Sequence, residues 1–319
     1  MERTVNVPGV EACLEIACIG RDSTMNKQPE IVRLTWDCPI LKGAVNWLLS
    51  GASEEVVDLS DSWVLLPTRQ AGRRLREALA WEMDQQAGAL FPPMTTTPWH
   101  LVRPADDAAS ELACLWHWNC VLDEVDLRRF PNLFPQLPRH PDYTWRREMG
   151  RTLHELRGTL AEGDLDCEAV ADSEACQEES GRWQDLKNLE SDYRRLLGRQ
   201  MDLHDAKRQA ARAPVLPPGI NRVVMLGVPD LPVLIQRALE KLVADGVPVE
   251  VVIFGPEGEK KLFDDWGRPE PECWAARELP LVDEQLNARL DEVAQANEIV
   301  SRLIPYSRNR PSHVAVGVA

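Results

Sequence analysis

The sequence predicts an α/β protein, a parallel sheet covered by helices and interrupted by a large α-helical insertion. Three observations carry this. Short strand-like runs alternate with amphipathic helical segments before residue 104 and again after residue 216. Between those limits the strand pattern disappears and apolar residues recur every three or four positions. The runs "RVVMLGV" and "VEVVIF" are continuously apolar, as strands covered on both faces are.

Residues 1–28 read as a disordered leader. Their stretch "VEACLEIACIG" carries Glu11 and Glu15 inside an apolar run and lacks the basic lead-in of a signal peptide, and Met25 is an alternative start. "IVRLTW" alternates as a strand, and "ILKGAVNWLL" suits a helix after Pro39. After an acidic loop, "SEEVVDLSDS", come the strand "WVLLP", a helix over residues 69–83, and "FPPMTTTPWH", whose threonines suit a short strand. This first α/β part spans residues 29–104.

Residues 105–215 form the helical insertion. One helix is read in "ELACLWHWNCVLDEV". A second carries the stripe Trp145, Met149, Leu153, Leu156 and Leu160, with Arg147, Arg151 and His154 on another face. A third carries Trp183, Leu186, Leu189, Tyr193, Leu196 and Leu197. The α/β pattern returns over residues 216–280, with the helix "LPVLIQRALEKLVADG" closed by Gly246. Residues 281–319 read as the start of a second α/β domain, a helix over 283–304 and then the strand "SHVAVGVA". A lone terminal strand needs neighbours, so the sequence is expected to be the front of a longer polypeptide.

Composition excludes several classes. The longest apolar runs fall far short of the roughly 20 residues a membrane helix needs. The eight cysteines show no CxxC spacing and the six histidines no HxxxH, so no metal site is expected; reduced, largely buried thiols suit a cytoplasmic protein. Net charge is −15, but eleven acids against Arg182 and Lys187 between residues 162 and 192 supply −9 of it. The rest is closer to balanced and leaves room for a local basic stripe.

The turn "DCPILKGA" lacks the glycines of a P-loop, Lys42 precedes Gly43, and Asp230 has no acidic neighbour to hold magnesium. Asp230 with Glu259 and Lys261 matches a PD...ExK nuclease pattern literally, but the ExK falls in a loop. Asp230 is read as a helix cap and the others as solvated charges. No GxSxG elbow is present. No catalytic residue, cofactor or metal is therefore assigned. The positive signal is "PTRQAGRRLREAL": Thr68 is a candidate N-cap, and Arg69, Arg73 and Arg76 share one helix face, opposite Ala71, Leu75, Ala78 and Leu79. Free N–H groups and guanidinium groups at a strand-to-helix turn form a phosphate-binding edge; the competing reading is a solvated face paired with Glu77 or Glu82.

On "PTRQAGRRLREAL", "VVMLGVPDLPVLIQRALEKL", "VEVVIFGPE" and "FDDWGRP", residues 31–319 resemble the amino-terminal part of AddB-type subunits of bacterial helicase-nucleases, within the PD-(D/E)xK nuclease family proteins. The resemblance implies a RecA-like, superfamily 1 helicase-like domain with an inactivated ATPase and a helical insertion. It also implies work on double-strand break repair and recombination with an AddA-type subunit. Thr68, Arg69, Arg73 and Arg76 are then expected to bind single-stranded or unwinding DNA. The family's nuclease domain and iron-sulfur cysteines lie downstream of the residues present, although full-length relatives are exodeoxyribonucleases. Trp266, Gly267 and Pro269 read as a turn pinned by aromatic packing. The alternative reading is a protein-protein scaffold that docks a partner through its acidic helical insertion, without DNA contact. A third is a small nuclease using Asp230 and Glu259.

Overall fold

The computed structural model describes residues 28–50, 56–278 and 287–307. The expected leader up to residue 27 and the strand "SHVAVGVA" lie outside the described residues. The chain divides into two compact units between Pro271 and Glu272, earlier than the expected break at 280.

In the first unit β1 (Glu30–Thr35) and α1 (Ile40–Leu49) are followed by β2 (Val56–Asp58), β3 (Ser62–Leu65), α2 (Arg69–Gln85), β4 (Ala89–Phe91) and β5 (Met94–Thr96). The insertion contributes α3 (Glu111–Glu124), α4 (Tyr143–Glu162), α5 (Cys167–Ala171), α6 (Ser180–Leu197) and α7 (Leu203–Arg212). The sheet resumes with β6 (Arg222–Leu226), α8 (Val233–Ala244) and β7 (Val249–Gly255). Its strands are all parallel and run in the order β1-β7-β6-β3-β5, while β2 and β4 pair separately. The fold is thus α/β with a parallel central sheet, as expected. One expectation is corrected: Val56–Asp58 is a strand and not part of an acidic loop, because Val57 buries its side chain and the segment pairs with β4.

The sheet is covered on both faces, which explains the uninterrupted apolar strands. On one face α1 and α2 pack Val45, Leu48, Leu75 and Leu79 against Val64, Val224, Leu226 and Val252. On the other, α8 packs Ile235, Leu239 and Leu242 against Trp63, Leu65, Val223, Met225 and Val251. Because side chains alternate along a strand, neighbouring residues of one run serve opposite layers.

The insertion has its own core, in which Trp118 of α3 stacks on Tyr193 of α6 at 4.0 Å between ring centres. An ion-pair hub fastens it to the sheet layer. Asp164, after α4, accepts from Nε of Arg208 on α7 at 3.0 Å and pairs with Arg237 of α8. Asp164 is buried and takes a left-handed φ of 55°, a conformation Asp tolerates better than most residues.

The "FDDWGRP" segment forms a tight turn. Asp264 accepts from the backbone N–H groups of Trp266 and Arg268 and from Nε of Arg268 at 2.7 Å, Gly267 adopts φ 79°, and Trp266 packs into the α8-side core. The second unit holds α9 (Pro271–Ala275), which begins at its boundary, and α10 (Glu292–Ser307). Residues 287–291, expected to be helical, precede α10 without helix; the earlier part of that expectation lies outside the described residues. Among the described residues no helix is long and apolar enough to cross a membrane.

Candidate functional site

The turn that leaves β3 delivers α2 to the carboxyl edge of the sheet. Thr68 is the N-cap: its backbone is extended, with φ −140° and ψ 154°, and its Oγ1 accepts from the backbone N–H of Ala71 at 3.1 Å. Gly72 brings the first turn of α2 down onto β5, where an added Cβ would meet Thr95 Oγ1 at 2.9 Å. The buried line of α2 is Gly72, Leu75, Leu79 and Met83. Ala71 and Ala78 are only half-buried, so the packed face is rotated from the expected one and lies beside the arginines instead of opposite them.

Arg69, Arg73 and Arg76 are exposed, as their shared face predicts. Their states differ. Arg73 Nε donates to Glu77 at 2.8 Å, four residues on, so this arginine follows the competing solvated-pair reading, and the pairing holds its guanidinium above its ordinary pKa. Arg69 and Arg76 pair with no carboxylate among the described residues.

A cavity of about 530 Å³ opens at the same edge, between α1, α2 and the ends of β6 and β7. Its walls are mostly apolar, with Leu66, Leu226 and Phe254 beneath and Trp36 and Ile40 at the α1 side. Thr68, Gln70 and Arg74 supply polar groups. Arg74 was not among the expected binding residues, yet it and not Arg69, Arg73 or Arg76 lines the cavity. Helical phase was the available signal: Arg74 lies near Gln70, Ala71 and Ala78, the flank that the packed face turns towards α1. Helices α2 and α8 leave the adjacent strands β3 and β6 for opposite faces of the sheet. This divergence makes the carboxyl edge the place where open α/β sheets bind ligands.

The turn after β1 offers no loop of glycine N–H groups. Helix α1 starts directly after Pro39 with no side-chain cap, and Gly43 is buried inside it, 3.3 Å from Cys38 Sγ at its Cβ position. Asp230 is exposed and does not cap α8, whose N-cap is Pro232 without a side-chain hydrogen bond; this corrects the capping assignment. Neither Asp230 nor Glu259 belongs to a group of three or more possible metal ligands among the described residues.

The acidic insertion turns only part of its carboxylates inward, while Glu162, Glu168, Asp172, Glu178 and Glu179 stay exposed. Arg157 of α4, 5% exposed, sits 2.6 Å from Glu190, 2.7 Å from Asp202 and 2.9 Å from Asp205. Asp185 accepts from the backbone N–H groups of Asn132 and Leu133, and Asp192 pairs with Arg129 and Arg195. Burial alone would raise the Asp202 pKa, but Arg157, the Tyr193 hydroxyl donating at 2.6 Å and the His204 backbone N–H bring it down to about 2. Burial lowers His204 to about 4 and pushes the Cys167 thiol up to about 12. His154 was expected on a separate, polar face of α4; it is buried within this cluster instead. Cys114, His154 and Asp202, scattered in sequence, are also drawn together there. The lack of close Cys and His spacing therefore did not exclude a group of possible ligands. Among the described residues Cys38, Cys114, Cys120, Cys167 and Cys273 form no disulfide, and Cys114 and Cys167 are buried. No protein-family model and no curated protein matches this chain.

Proposed function

We propose that the chain is a non-catalytic helicase-like module of an AddB-type helicase-nuclease subunit, which binds and guides a DNA strand beside an AddA-type motor. The observation that carries the reading is the placing of α2: its capped N-terminus and the unpaired guanidinium groups of Arg69 and Arg76 stand at the carboxyl edge of a parallel sheet. Phosphate oxygens suit such an edge, because N–H groups and guanidinium forks meet them geometrically. The strand order and the two-sided helical cover are compatible with a RecA-like sheet and support the same reading. The start of α1 without a glycine loop accords with an inactivated ATPase.

The scaffold alternative, in which the insertion docks a basic partner, has less support. Asp164, Asp166, Asp185, Glu190 and Asp192 are engaged with the insertion's own arginines and backbone N–H groups. Those carboxylates hold the insertion together instead of facing a partner.

The test is single-stranded DNA binding by fluorescence anisotropy across a salt series. Wild type should bind weakly at low salt and release steeply as salt rises. Replacing Arg69 and Arg76 by Ala should lower the magnitude of the log–log salt slope by about 1 per lost phosphate contact, and Arg73→Ala should have less effect. Salt-insensitive binding, or a slope unchanged in the double variant, would refute the assignment.

A further inference from the structure

The core of the insertion assembles metal-ligating groups from three separate helices. Cys114 lies on α3, His154 on α4 and Asp202 at the N-cap of α7, and their sulfur, ring nitrogen and carboxylate oxygen lie within 4.8 Å of one another. Their exposures are 0%, 6% and 1%. Nδ1 of His154 has no hydrogen-bond partner. Nε2 of His204 has none either, and its ring lies 4.5 Å from that of His154. Leaving a buried polar atom unpaired costs about 1–3 kcal/mol, so two together call for a ligand. We infer that Cys114, His154 and Asp202 form a structural site for a zinc-class divalent ion, with the His204 ring beside that of His154 as a candidate further donor.

The donor set decides the kind of ion. Thiolate with imidazole and carboxylate is zinc chemistry, whereas calcium and magnesium prefer oxygen alone. Tetrahedral coordination requires the ligand atoms to draw together by at most about 1.5 Å, given Zn–S near 2.3 Å and Zn–N near 2.0 Å. The Tyr193 hydroxyl and Arg157 hold one oxygen of Asp202, while the other receives the N–H of His204 at 2.8 Å and that of Asp205 at a longer 3.3 Å. That second oxygen is the more available donor. Tyr193 orients the carboxylate and is a positioning residue.

The nearby guanidinium does not forbid a cation. Arg157 and Arg194 face Glu190, Asp202 and Asp205, while Arg208, Arg212 and Arg237 face Asp164 and Asp166, with Arg208 also 4.0 Å from Asp205, so that five guanidinium groups already balance five carboxylates. On binding, the Cys114 thiol releases its proton to solvent and its sulfur bonds the ion, while the imidazoles bind neutral. The charge of a divalent ion is offset at the site by its two anionic ligands, the Cys114 thiolate and the Asp202 carboxylate. The ion would tie α3, α4 and α7 into one block.

The whole chain is expressed in zinc-supplemented medium and assayed for metal, then unfolded, refolded with Co²⁺ alone, and examined by absorption and X-ray absorption spectroscopy. Expected are one metal per chain, a thiolate-to-cobalt charge-transfer band, and a first shell of one sulfur with nitrogen and oxygen ligands. Cys114→Ser should abolish the band, and Tyr193→Phe should keep it while weakening affinity about 10- to 100-fold. Protein without metal, a shell with no sulfur or with two or more, or a band that survives in Cys114→Ser would overturn the site. The shell is read on wild type, so the test does not depend on either variant folding.

Discussion

Replacing Arg157 by Met should unfold the insertion more readily than any change on its surface. The Arg157 side chain is 5% exposed and touches three carboxylates, of which Glu190 is 4% and Asp202 0% exposed. Met fills much of the volume but removes the charge. Arg194 still reaches Glu190 at 3.4 Å and Asp205 at 3.3 Å, so the loss falls mainly on Asp202. Breaking a buried pair by removing one partner costs about 3–5 kcal/mol, because an uncompensated charge stays out of water. Against a total stability of about 5–15 kcal/mol, that is a large fraction. At about 2–4 °C per kcal/mol for a unit of this size, the midpoint of thermal unfolding should fall by roughly 6–20 °C. Urea unfolding followed by circular dichroism at neutral pH gives the free energy. Arg73→Ala is the control: its pair with Glu77 is 67% and 60% exposed, and such pairs contribute about 0.3–0.5 kcal/mol. Adding Asp202→Asn and Glu190→Gln to Arg157→Met should recover at least about 1 kcal/mol. An Arg157→Met loss below about 1 kcal/mol, or one equal to the control, would refute the claim that this network holds the insertion together.

Three further outcomes follow from the geometry. Gly72→Ala should cost about 1–3 kcal/mol through overpacking against Thr95; in a double-mutant cycle by urea unfolding Thr95→Ala, which removes Oγ1 at 2.9 Å but keeps Cβ at 3.0 Å, should recover only part of it and Thr95→Gly more. At Asp164, Asn should retain the left-handed backbone yet lose the charge that pairs with Arg208 and Arg237, while Gly relieves the backbone and loses both pairs. If charge dominates, the two variants should be destabilised alike in thermal melts. Burial raises the Asp166 pKa, but the Ala169 N–H and Arg208 outweigh it and set it below the ordinary carboxylate value. With the folded pKa lowered, the native state binds fewer protons than the unfolded one, so this stabilisation is present above about pH 3.9 and is lost as pH falls through the lower folded value. Thermal melts from pH 5 downwards should therefore decline less steeply for Asp166→Asn than for wild type.

The sequence by itself determined the layered architecture. Continuous apolar runs over β6 and β7 identify strands covered on both faces, and "PTRQ" places a capped helix after β3, because these are local matters of period, turn chemistry and capping. It also marked the insertion through its shift to helical spacing. It missed β2, a short strand with a single buried side chain that acidic neighbours disguise, and it gave Asp230 a capping role although the N-cap position of α8 is Pro232 and no side chain caps that helix. Only the tertiary structure decided which arginine meets the cavity. Arg74 does so because it shares the cavity-lining flank of α2 with Gln70 and Ala71, whereas Gly72 faces β5. Only the tertiary structure, too, drew Glu190 of the acidic segment into an internal network with Asp202 and Asp205, since Arg157 lies apart in sequence from all three, while Glu168, Asp172, Glu178 and Glu179 remain a charged surface. The same cause joins Cys114, His154 and Asp202: helices pack by their buried faces, and residues distant along the chain become neighbours where those faces meet.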